Sequence, residues 1–137
     1  MPVRKVDYCY TVVKAGRAGE AASALAALRK ARVNLLAFTG FPTRGGKAQL
    51  DFVASDLSGV RRVAKDQGWK LSAAKKAFLV QGGDAVGACH AQLRKLAKAG
   101  INVTAADAVT AGRGRYGMIL WVKAKDQARA ARALGAR

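Results

Sequence analysis

The stretch Gln81-Gly82-Gly83-Asp84-Ala85-Val86-Gly87 holds the residue types and spacing best suited to gripping a small ligand. Glycines let a backbone turn tightly and come close to a bound group. A helix starting after such a turn presents unpartnered N–H groups and a partial positive charge, which suit a carboxylate or a phosphate. Asp84 either caps that helix or receives a ligand ammonium group. A plain strand-to-helix turn with an aspartate cap is the competing reading.

Other motifs promise less. Gly112-Arg113-Gly114-Arg115-Tyr116-Gly117 spells G-x-G-x-x-G, but a dinucleotide fingerprint needs a helix after it, and here Met118 to Val122 follows as a strand. A flexible hairpin loop is expected, with a phosphate grip or base stack by Arg113, Arg115 and Tyr116 as the alternative. The matching earlier loop, Thr43-Arg44-Gly45-Gly46-Lys47, is also basic. His90, the single histidine, reads as a partly buried structural residue, with facing a ligand or an adjoining module as the alternative, and Cys9 and Cys89 read as inert core thiols with no histidine to activate them. Trp69 and Trp121 read as core or interface residues. One histidine and two cysteines exclude a Cys/His zinc quartet and a disulfide scaffold. Asp51, Asp56, Asp66 and Asp126 fit strand-face, cap or surface roles, so no acid pair or nucleophile–base spacing emerges. No enzyme, catalytic residue, metal or cofactor is expected.

The elements that must position these residues come in two sets. At an offset of 68 the halves correspond without gaps over their middle portions: Gly19 falls on Gly87, Leu28 on Leu96, Lys30 on Lys98, Asn34 on Asn102 and Gly46 on Gly114. Each half reads as strand, helix, strand, strand, helix. The first has strands over Tyr8 to Val13, Leu35 to Phe41 and Ala48 to Ala54, with a helix from Gly19 to Ala31. Ser55 and Asp56 cap a second helix ending near Gly68, and Trp69 to Ala73 supplies a fourth strand. The second has strands over Ala77 to Val80, Val103 to Val109 and Met118 to Val122, a helix from Val86 to Ala99, and a last helix capped by Asp126. It ends without a fourth strand. The fold class expected is α+β: two ferredoxin-like βαββαβ units, residues 1–74 and 75–137, with antiparallel sheets and helices on one face. The edge beside the first strand of the second unit needs cover from the other half or another subunit.

A glycine turn after the first strand, an amphipathic helix, and then Gly100-Ile101-Asn102-Val103 entering the second strand resemble the ACT domain, a small regulatory ligand-binding module. The resemblance spans nearly the whole chain as a tandem pair. It is stronger in the second half; in the first, Arg32 replaces the glycine before Val33-Asn34, and Arg17-Ala18-Gly19 fills the turn. It implies an amino acid or related metabolite bound at the turn after the first strand, no catalysis within the module, and a homodimer through sheet edges or helices. It also implies that the amides of Asn102 and Asn34 bond a ligand from a neighbouring turn. Alternatively each asparagine ends its helix in the left-handed region or bonds its own backbone.

Hydrophobic residues make up 51% of the 137 and charged ones 24%, enough for a buried core. The 25 Lys and Arg against 8 Asp and Glu give a net charge of +17. Such a balance attracts nucleic acid non-specifically, although no run of five like charges forms a basic tail. Nothing approaches a signal peptide or membrane span, and two free cysteines fit the cytoplasm. Nucleic-acid binding through the basic surface, or docking on a partner enzyme, are the alternatives to the small-ligand regulatory reading.

Overall fold

The computed structural model describes residues 3–137. Its elements are β1 (Val3–Lys14), α1 (Glu20–Lys30), β2 (Ala37–Thr43), β3 (Lys47–Ala54), α2 (Ser58–Gln67), β4 (Lys75–Gly83), α3 (Ala88–Lys98), β5 (Val103–Gly112), β6 (Arg115–Val122) and α4 (Gln127–Leu134). They form two compact units, one of residues 7–75 and the other of residues 76–137 together with residues 3–6. The α+β class holds, and both units show the strand-helix-strand-strand-helix order of the ferredoxin-like fold.

In the unit of residues 7–75 the strand order is β2-β3-β1, antiparallel, with Phe52 opposite both Cys9 and Phe38. Leu50, Phe52 and Ala54 alternate along β3 and pack on Leu28 of α1 and Val60 and Val63 of α2. Asp51 points to the other face and is buried, its carboxylate taking bonds from the Thr39 hydroxyl at 2.7 Å and the Gln49 amide at 2.9 Å. Those donors offset the cost of burying it. Asp56 accepts the Ser58 N–H at 2.9 Å just before α2, but the capping position is Leu57 and neither Ser55 nor Asp56 makes the side-chain cap bond expected of it. The bond from Ser58 holds the Asp56 carboxyl below the usual carboxylate range.

The fourth strand expected over Trp69 to Ala73 does not form. Residues 69–74 are irregular, and the regular strand begins at Lys75. Ser72 donates its N–H to the Tyr10 carbonyl, but Tyr10 N–H bonds the Ser72 hydroxyl instead of a backbone carbonyl. The side chain thus competes with the ladder. Trp69 stacks on Phe52 at 5.6 Å instead of lying along a strand.

In the other unit the order is β4-β6-β5, again antiparallel, and residues 3–6 lie beside β4. Val3 joins a core of Phe78, Val80, Leu96, Met118 and Leu120, closed by Ala130 and Leu134 of α4. Arg137 is bonded to this segment from both sides, its N–H to Val3 and its carbonyl to the Lys5 N–H, each at 3.1 Å. Among the described residues the second set of elements has no fourth strand of its own, and residues 3–6 lie along its first strand.

Asp126, expected to cap α4, makes no cap bond. Its backbone is itself helical, at φ −100° and ψ −4°, so its carboxylate is carried away from the helix N–H groups and pairs with Arg129 at 3.1 Å.

The repeat survives in atomic detail. Gly19 and Gly87 precede α1 and α3 with φ of 91° and 81°. Leu28 and Leu96 are both fully buried, and each accepts the bond that closes its helix, from Val33 and from Ile101, at 2.9 Å. The left-handed residue in that closure is Gly100 in one unit and Arg32, at φ 59°, in the other. A β-carbon is strained there. Arg32→Gly is therefore expected to stabilise the protein by about 0.5–1 kcal/mol, as a rise in the urea midpoint with unchanged slope.

Candidate ligand clefts

Both turns between first strand and helix open into a cleft, at equivalent places in the two units. In residues 7–75 the cleft measures about 600 Å³. Its rim is Lys14, the Ala15-Gly16-Arg17 turn and Glu20, and its walls are Ala21 of α1, Phe38 and Phe41 of β2, and Leu50 of β3. Gly19 leads α1 without any side-chain cap, so the first N–H groups of the helix face the turn without an intrahelical partner. Arg17 lies 3.6 Å from the Glu20 carboxylate, across the mouth, and is mostly exposed. Phe41 is 44% exposed although apolar, leaving hydrophobic surface open beside two cations and a carboxylate.

The corresponding cleft of the other unit is about 280 Å³ and more polar. Asp84 and Ala85 form one side, Gly87 to His90 the helix start, and Ala108 to Thr110 with Tyr116 the strands. The Asp84 carboxylate accepts the Thr110 hydroxyl at 3.2 Å, and the Asp84 N–H bonds the Gly114 carbonyl at 2.8 Å. Asp84 does not cap α3, which starts at Gly87 uncapped. Burial first, then the Cys89 thiol nearby, raises the Tyr116 hydroxyl above its ordinary value.

Of the residues marked in the sequence, Asp84, Ala85 and Gly87 line this smaller cleft. Gln81, Gly82 and Gly83 belong to β4, opposite Gly117, Tyr116 and Arg115, so the turn starts at Asp84 rather than at Gly82. Val86 is wholly exposed. Asn34 lines a different hollow, with Arg29 and Arg32, at the far end of α1. Asn102 is exposed just past the far end of α3. Each helix has 11 residues, about 16 Å of rise, between the asparagine and the turn of its own unit. Among the described residues no three His, Cys, Asp or Glu gather as a metal site, and no helix is long and apolar enough to cross a membrane.

Two further readings need revision. His90 is exposed at the smaller cleft, not partly buried. The G-x-G-x-x-G segment forms the expected hairpin, turning at Arg113-Gly114 between β5 and β6, but Tyr116 is buried at 4% exposure, so the alternative of a base stack on it fails. Of the two thiols, Cys9 is fully buried, which pushes its ionisation up, whereas Cys89 is half-buried on the wall of the smaller cleft. A thiol reagent should titrate one cysteine per native chain quickly and the second only on unfolding; Cys89→Ser should abolish the fast phase.

Sequence reasoning passed over Phe38, Phe41, Leu50, Arg17 and Glu20, the walls and mouth of the larger cleft. The signal was present in the alignment of the halves, which lays Gly19 on Gly87 and Gly40 and Phe41 on Ala108 and Val109.

No family model matches the sequence, and no curated protein matches it. Solved structures do match. A protein from Bacteroides thetaiotaomicron superposes with a TM-score of 0.76 at 14% identity, covering 95% of this chain and 88% of that one. The regulatory subunit of aspartate kinase from Thermus thermophilus, in its ligand-free form, gives 0.63 at 15% identity over 98% and 95%. A putative C-terminal regulatory domain of aspartate kinase from Porphyromonas gingivalis gives 0.53 at 14% over 97% and 91%. At such identities the likeness shows the fold alone, an α+β arrangement of ferredoxin-like units.

Proposed function

We propose that the chain is a non-catalytic regulatory module that binds an amino acid or a closely related metabolite at the turn after the first strand of a unit. The observation that carries this reading is the uncapped start of α1, opening on an apolar cleft with Arg17 and Glu20 at its mouth. An amino acid has matching parts. Its carboxylate suits the helix N–H groups and Arg17, its ammonium group suits Glu20, and an apolar side chain suits Phe38, Phe41 and Leu50. The smaller cleft repeats part of the scheme, with an uncapped helix start and the Asp84 carboxylate but Ala85 in place of Arg17 and a less apolar wall, so it favours a smaller or more polar ligand. The structural neighbours from Thermus thermophilus and Porphyromonas gingivalis carry regulatory titles, which supports a regulatory role. Asn34 and Asn102 enter this scheme only if a second unit or a second copy brings them to a turn, and a homodimer is part of the proposal.

The test is a thermal melt of nucleic-acid-free protein against each of the twenty amino acids at low and high salt. A ligand at one hundred times its dissociation constant stabilises by about 2.7 kcal/mol, a shift of several degrees. A rise with one side-chain class at both salts supports the reading. A flat response to all twenty overturns it.

A further inference from the structure

The unit of residues 76–137 carries a second surface that the small-ligand reading leaves unused. α3 (ACHAQLRKLAK) and α4 (QARAARAL) pack on one another and contain no acidic residue, whereas α1 holds Glu20 and α2 holds Asp66. Arg94, Lys95, Lys98 and Arg132 are exposed and form no ion pair among the described residues, Lys95 reaching only the Gln92 amide oxygen at 3.4 Å. Arg129 is already engaged by Asp126 at 3.1 Å and by the Ala99 carbonyl at 3.1 Å, which ties the start of α4 to the end of α3 and sets the two helices as one face. Arg94 and Lys98 are four residues apart on α3, and Lys95 and Lys98 three, so like charges are neighbours on the helix surface. An electrostatic cost of that kind is relieved when a polyanion arrives.

We propose that the α3–α4 face binds the phosphodiester backbone of duplex nucleic acid without reading its sequence. Two features separate this from other anionic partners. A protein interface needs apolar or aromatic anchors, and the exposed residues among these cations are chiefly alanines, such as Ala91, Ala97 and Ala128. Single strands are held by base stacking, yet the aromatic side chains of this unit, Phe78, Tyr116 and Trp121, are all buried. A regularly charged duplex needs only cations at close approach, and small alanines permit that approach.

The experiment is fluorescence anisotropy of the full chain with a labelled random-sequence duplex across a salt series. Four cations engaging phosphates give a slope of log K against log salt of about −3.6, at about −0.9 for each. Arg94→Gln with Lys98→Gln and Arg132→Gln should bring the slope to about −1 and weaken low-salt binding at least tenfold. A charge-matched control, Arg61→Gln with Arg62→Gln and Lys65→Gln on α2, should keep most of the affinity. Equal losses in the two triple variants would reduce the effect to net charge and overturn the proposal. So would tighter binding of a single strand, or polyglutamate competing as well as duplex charge for charge. If the triple variant melts early, the single Arg132→Gln substitution is read instead, with an expected slope change of about one unit, and no change overturns the proposal.

Discussion

Phe52→Ala is expected to lower the unfolding free energy by about 3–5 kcal/mol, the cost of deleting a large buried aromatic and leaving a cavity. Phe52 is fully buried in the centre of β3, stacked on Trp69 at 5.6 Å and tilted against Phe38 at 5.9 Å. Phe38 is also a wall of the larger cleft, so the substitution should loosen the site as well as the core. Since domains hold only about 5–15 kcal/mol in total, the variant should sit near the edge of folding. Urea unfolding followed by tryptophan fluorescence measures the loss, because Trp69 loses its stacked neighbour. Phe41→Ala is the comparison: its ring is 44% exposed, and a change within about 1 kcal/mol is expected.

Arg17→Glu should weaken amino-acid binding about tenfold or more, ~1.4 kcal/mol, without lowering stability. The arginine side chain is 66% exposed and contributes little to the fold through its 3.6 Å contact with Glu20. A carboxylate at this position faces the start of α1, where negative charge is favourable for the helix itself. For a bound ligand the effect is opposite, since its own carboxylate would meet a negative group in place of a guanidinium. Calorimetric titration with the amino acid that raises the melting temperature reads the difference. Unchanged affinity with unchanged stability would place the ligand elsewhere.

Much of the fold was legible because the signals were local and doubled. The strand-helix-strand order, the glycine before each first helix and the buried leucines at Leu28 and Leu96 follow from periodicity, and each was seen twice at the same offset. The failures came where a side chain outcompeted a regular pattern. Ser72 has the composition of a strand around it, but its hydroxyl takes the Tyr10 N–H, and no propensity reveals that. Asp126 stands where a cap belongs, yet a short helical turn over Ala124–Asp126 already commits its backbone. Gln81 to Gly83 look like a turn by their glycines, but β6 offers ladder partners that extend β4 through them.

The proposed site was half legible for a related reason. Attention to glycine density favoured the Asp84 turn, whereas the size and apolar character of a cleft depend on what the second and third strands bring to it. Phe38, Phe41 and Leu50 are ordinary strand residues in sequence; only the register of β2 on β3 and the packing of α1 turn them into walls.

The most direct measurement is an amide nitrogen–proton correlation spectrum of the labelled chain titrated with a mixture of the twenty amino acids, then with the one that acts. Glycine amides resolve well, and Gly16, Gly19 and Gly87 mark the two turns. The account predicts saturable shifts at Gly16, Gly19, Glu20 and Ala21, with weaker ones or none at Gly87 and Cys89. Shifts confined to positions remote from both turns, or no shift at saturating amino acid, would contradict it.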